Sequence, residues 1–72
     1  MQIQLNGEAK QLASETTVGE LILALDLAGR RVAVEVNEEI VPRSQHAATR
    51  LGEGDRVEIV HAIGGGQAER RA

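Results

Sequence analysis

Over the first five positions apolar and polar residues alternate: Met1, Ile3 and Leu5 fall on one side, Gln2 and Gln4 on the other. A period of two belongs to a strand with one buried face. Asn6-Gly7 breaks the alternation, and both residues tolerate positive φ. The pair therefore suits a two-residue type I′ turn, with residues 8–12 returning as the second strand of a hairpin. The period then becomes helical, because Val18, Leu21, Ile22 and Leu25 recur at i, i+3, i+4 and i+7. Thr17 and Glu20 have capping-box spacing, in which a hydroxyl and a carboxylate reciprocally satisfy free backbone N–H groups, and Gly29 offers a left-handed C-cap. These signals predict a helix over residues 17–28. Alternation resumes over residues 31–36, with Val32, Val34 and Val36 inward and Glu35 outward. Asn37-Glu38-Glu39 then turns the chain into a short Ile40-Val41 strand that Pro42 stops. Residues 43–50 are polar and Leu51 is their one strong apolar anchor. Gly52-Glu53-Gly54-Asp55 reads as a turn before a last strand over residues 56–62, with Val57 and Ile59 facing the core.

The element order is β-β-α-β-β-β, an α+β arrangement in which one helix crosses one face of a mixed sheet. The hairpin fills one side of the first strand, and the last strand is the only other long candidate for the sheet centre. The first and last strands are thus expected side by side, with residues 63–72 projecting from the sheet. This divides the chain into a domain over residues 1–63 and a flexible, Gly-rich C-terminal tail over residues 64–72.

Length allows one small domain with a modest core. Phe, Tyr and Trp are all absent, so that core must be built from Leu, Ile, Val, Ala and Met, and the chain has no ring on which a nucleic-acid base could stack. The net charge is −3; Arg70 and Arg71 against Glu69 give residues 67–72 a charge of +1, which leaves residues 1–66 at −4. An acidic body argues against a nucleic-acid partner. With no cysteine there is no disulfide, thiolate metal site or thiol nucleophile, which fits a cytoplasmic protein. The chain shows no apolar run of membrane-spanning length and opens on strand alternation, not on a basic and apolar leader, so no membrane partner is expected.

Side chains capable of chemistry are sparse. His46 and His61 have no third ligand near them in sequence, which speaks against a metal site; His61 is expected to pack at the end of the last strand. Glu38 and Glu39 are adjacent in a turn and point different ways, which suits solvation better than acid/base work. Ser44, His46 and Asp55 lack a nucleophile elbow, so no triad is expected. Arg43, Arg50 and Arg56 are scattered and read as ordinary solvated charges. Val60 and Ala62, of parity opposite to Val57 and Ile59, mark a candidate docking face beside the end of the last strand.

That end is the informative part. Ile63 leads into Gly64-Gly65-Gly66, a stretch limited in a narrow cleft only by backbone width. A glycine triplet near a terminus also serves as a plain linker. The surrounding residues separate the two readings: MQIQLNGE, TTVGEL, VAVEVNEEIVPRS and above all GDRVEIVHAIGGG resemble, across residues 1–66, the ThiS family of thiamine-biosynthesis sulfur carriers, which are small ubiquitin-like β-grasp proteins. The resemblance implies a protein cosubstrate and not an enzyme. In that cycle a ThiF-like activating enzyme uses ATP to adenylate the C-terminal glycine. Sulfur from a persulfide donor converts it to a thiocarboxylate, and a ThiG-like thiazole synthase consumes the sulfur. Gly66 matches the sulfur-bearing glycine, Gly65 its neighbour, and Gly64 and Ile63 complete the strip that threads into partners; no bound cofactor is implied. Two alternatives share the fold: a MoaD-like small subunit of molybdopterin synthase, and a β-grasp interaction module, such as an RNA-associated domain, whose glycines merely tether.

The chain departs from the family pattern after Gly66, where QAERRA follows. A Gly66 joined to Gln67 has no carboxylate to adenylate. The extension reads as a precursor segment removed by a protease, as an artificial addition, or as the mark of a copy inactive in transfer, with removal favoured over inactivity. Polar and poor in large apolar groups, it is expected to be disordered.

Overall fold

The computed structural model describes residues 1–63 and 67–71. The elements are β1 (Gln2–Leu5), β2 (Glu8–Gln11), α1 (Val18–Ala24), β3 (Val32–Val36), β4 (Glu39–Val41), a 3-10 turn (Arg43–Gln45), β5 (Arg56–Ile63) and β6 (Gln67–Arg71). The sheet runs β2-β1-β5-β3-β4, with β6 also paired to β5. β1 and β5 are neighbours, as expected, and run parallel; the other pairs are antiparallel. This is the mixed sheet with one helix that the residue pattern predicts. Among the described residues no helix is long and apolar enough to cross a membrane.

One face of α1 closes on the sheet. Val18, Leu21 and Ile22 are buried with Ile3, Val34, Leu51, Val57 and Ile59, and no polar side chain among the described residues is buried with them. Aliphatic side chains alone thus fill the layer between helix and sheet, where burial of apolar surface stabilises the fold.

The start of α1 is satisfied group by group. Thr17 Oγ1 accepts from Glu20 N at 3.1 Å, and Glu20 Oε1 accepts from Thr17 N at 2.9 Å, completing the predicted capping box. Val18 N donates to Thr49 O and Gly19 N to His46 O, both at 2.9 Å, so the polar segment after β4 supplies carbonyls to the first helical turn. A Cβ on Gly19 would stand 3.4 Å from His46 O, in van der Waals contact with that segment. Thr17→Ala is expected to lower stability by about 1 kcal/mol, read as a fall in the urea midpoint at unchanged slope.

The helix stops earlier than its pattern predicts, at Ala24 and not Ala28, and Gly29 is not its cap. Asp26 takes the left-handed conformation at φ 61, Asp26 N donates to Leu23 O and Leu27 N to Ile22 O, each at 3.0 Å. That pair of bonds is a Schellman motif. Gly29, at φ 82, belongs to the separate turn in which Arg30 N reaches Leu27 O. At the first hairpin Asn6 (φ 50) and Gly7 (φ 87) adopt the left-handed pair expected of them. Asn37 (φ 52) and Glu38 (φ 71) repeat that pair between β3 and β4.

The extension after Gly66 requires a correction. It was expected to project without packing, yet Gln67–Arg71 forms β6 and pairs with β5. Pairing of this kind uses main-chain N–H and C=O groups and needs no large side chains. The glycine strip itself, Gly64, Gly65 and Gly66, lies outside the described residues.

Candidate functional site: the strand that carries the glycine strip

β5 is the strand from which the glycine strip continues, and the fold grips it at its start and along one edge. At its start Asn37 Oδ1 accepts from Arg56 N at 3.0 Å, while Asn37 N donates to Arg56 O at 2.7 Å. Asn37 Nδ2 reaches Asp55 Oδ1 at 3.0 Å, and Asp55 Oδ2 takes Gly52 N at 2.7 Å. The turn before β5 and the turn after β3 are thereby locked to each other. On one edge β3 pairs with β5 from Val57 to His61. On the other, β1 pairs only at Arg56 and Val57.

Beyond the end of β1 the side chain of Asn6 takes over. Its Oδ1 accepts from Ile59 N at 2.9 Å and its Nδ2 donates to Ile59 O at 3.4 Å, so one amide stands in for the next residue of a strand. The turn conformation of Asn6 brings this side chain alongside β5. Asn6→Gly keeps the left-handed backbone and removes the amide. It is expected to cost about 1–3 kcal/mol through the unpaired Ile59 groups, measured by chemical denaturation.

Ile63 ends β5, and its backbone lies opposite Gln67. Val57 and Ile59 are buried as expected, while Val60 is half-buried on the opposite face. His61 lines an apolar groove of about 230 Å³ with Leu5, Asn6, Leu25, Leu27 and Ile59, in line with its expected packing at the end of the strand.

The dismissed constellations are not brought together. The His46 ring pairs through Nε2 with Val41 O at 3.0 Å and lines a different groove from His61. Asp55 is committed to Gly52 and Asn37, away from any bond to Ser44 or His46. Glu38 and Glu39 are exposed. Arg43 donates to Arg30 O at 3.0 Å, and Arg50 makes an exposed 3.8 Å pair with Glu15.

The sequence reading missed the ladder role of Asn6 and the lock between Asn37 and Asp55. Both asparagines stand in turns, where their tolerance of positive φ already accounts for them. The signal for a second role is that each turn abuts β5, which only the topology shows.

Comparison with known proteins bears on the same end of the chain. The ThiS family model matches residues 3–66 and stops at Gly66. Sulfur carrier protein ThiS of Escherichia coli is 39% identical over 66 residues, covering 92% of this chain and all of that protein. A thiazole synthase of Magnetococcus marinus is 45% identical over 67 residues, 93% of this chain; the chain spans only 21% of that protein's length. The crystal structure of the thiamine biosynthesis protein ThiS from Geobacter metallireducens superposes with a TM-score of 0.80 at 36% identity, over 92% of this chain and 100% of the other. With the family model covering the strand order, the core and the glycine strip together, the chain belongs to the ThiS family.

Proposed function

We propose that the chain is a sulfur carrier for thiazole formation in thiamine biosynthesis, holding sulfur as a thiocarboxylate on Gly66. The observation that carries this reading is the coincidence of two ends: β5 leads directly into the glycine strip, and the family model terminates at Gly66. A carboxylate is a poor acyl donor until its oxygen attacks the α-phosphorus of ATP and pyrophosphate leaves. The terminal sulfur of a persulfide then displaces AMP, and a thiol releases the thiocarboxylate by reducing the acyl disulfide. A ThiF-like adenylating enzyme would perform the first step. The carrier contributes reach and a defined end, with catalysis residing in its partners, so it acts as a protein cosubstrate.

The final acceptor in this reading is a ThiG-like thiazole synthase. Its support is that a protein named thiazole synthase contains a stretch similar to nearly all of this chain. The extension after Gly66 is then a segment to be removed, since the Gly66–Gln67 peptide bond occupies the carbonyl that must be activated.

The test loads a form ending at Gly66 with an adenylating enzyme, ATP and a persulfide donor, and presents it to a thiazole synthase or to a molybdopterin synthase large subunit. Capture and sulfur consumption by the thiazole synthase are expected. Consumption by the molybdopterin subunit alone would move the chain to the other pathway, and no thiocarboxylate by mass would remove carrier chemistry altogether.

A further inference from the structure

β5 is longer than the strand beside it on one edge. Backbone direction alternates along a strand. The carbonyls of Asp55 and Val57 accept from Gln4 and Asn6, both at 2.9 Å, and Ile59 meets the Asn6 amide on that same side. His61, two residues on, therefore presents its N–H and C=O there too. No strand formed by residues 1–63 pairs with it on that edge, because β1 ends at Leu5, opposite Val57. An uncovered edge of this kind is a template for another extended chain.

The chain fills the gap with its own extension. β6 runs antiparallel to this stretch, with Arg71 opposite Val60, Arg70 opposite His61, Ala68 opposite Ala62 and Gln67 opposite Ile63; the register shift leaves Glu69 as a bulge. β3 already holds Val60 and His61 on the other edge, so β6 lies on the side of β1. Charge favours the arrangement, +1 on residues 67–72 against −4 on residues 1–66.

We propose that the edge of β5 from Val60 to Ile63 is a strand-addition site and that Gln67–Arg71 closes it in cis, so that a cut after Gly66 uncovers the edge in the step that creates the carboxylate. The cut is a hydrolysis: water gives its hydroxyl to the Gly66 carbonyl carbon and a proton to the Gln67 nitrogen as the peptide bond breaks. The second half rests on the carrier reading; the covering of the edge does not. The cover is releasable by composition, because Gln, Ala, Glu, Arg and Arg bring no large apolar group to anchor it.

Residue-resolved amide hydrogen exchange tests this. In the 72-residue chain the His61 N–H is expected to be protected. In a form ending at Gly66 it should exchange at least about tenfold faster, while the Glu58 and Val60 amides, which face β3, keep their rates. Arg70→Pro in the full chain removes the N–H opposite His61 without creating a carboxylate, and the same rise is expected. Equal His61 rates in all three forms would overturn the proposal. So would a rise in the shortened form alone, since protection would then follow the new terminus and not the strand. No adenylation enters the readout, so this result and the sulfur-loading result can fail separately.

Discussion

Incubated with an adenylating enzyme and ATP, the 72-residue chain is expected to form no acyl-adenylate, and the form ending at Gly66 is expected to form one. The effect is all or none because it turns on one bond. In the full chain the Gly66 carbonyl is an amide, into which the Gln67 nitrogen delocalises its lone pair, so the carbon carries no carboxylate oxygen that could take up AMP. In the shortened form the same carbon carries a carboxylate, whose oxygen can displace pyrophosphate. Intact-protein mass spectrometry distinguishes the two directly. A full-length chain that acquires AMP with QAERRA still attached would take Gly66 out of the role proposed for it.

Leu21→Ala is expected to destabilise the domain by about 2–5 kcal/mol. Leu21 is fully buried at the centre of α1, against a sheet face with no aromatic ring to fill the space left behind. A domain of this length has only about 4–11 kcal/mol in total, so the variant sits close to the edge of folding. Leu23, two positions along the same helix, is 68% exposed, and Leu23→Ala is expected to change stability by no more than about 0.5 kcal/mol. Far-ultraviolet circular dichroism in urea follows both variants. Equal losses would mean that the buried stripe is not where the stability resides.

Those two leucines show how much of the fold was legible. The buried residues of β1, α1, β3 and β5 (Ile3, Val18, Leu21, Ile22, Val34, Val57 and Ile59) all stand on faces that simple periodicity assigns inward, and Leu51 is the anchor read in the polar stretch. Periodicity reports burial because strand and helix geometry convert spacing into direction. The helix end was not legible. Leu25, Asp26 and Leu27 continue a helix-compatible pattern, and Gly29 offers the usual residue for a left-handed cap. The chain instead places Asp26 in that conformation, at a position where a short polar side chain tolerates it.

The β6 strand escaped for a different reason. Composition measures what side chains can bury, whereas an unpaired strand edge recruits main-chain groups whatever the side chains are, so QAERRA read as a free tail. The role of Asn6 was hidden likewise, since its turn position already accounts for it. The glycine strip was readable in the opposite way: no periodicity marks it, and its meaning came from resemblance across residues 1–66, which the family model then matched over residues 3–66.

The order in which the polypeptide is made has a bearing on what cells contain. β5, the middle strand of the sheet, is made after β1, β2, β3 and β4, and it joins β1, some fifty positions earlier, to β3. Contacts so distant in sequence close late. A nascent chain halted before residue 57 lacks the buried Val57 and Ile59 and has no way to seal its interior. Ribosomal stalling therefore yields unfolded fragments open to degradation, and never a well-folded impostor that lacks the glycines.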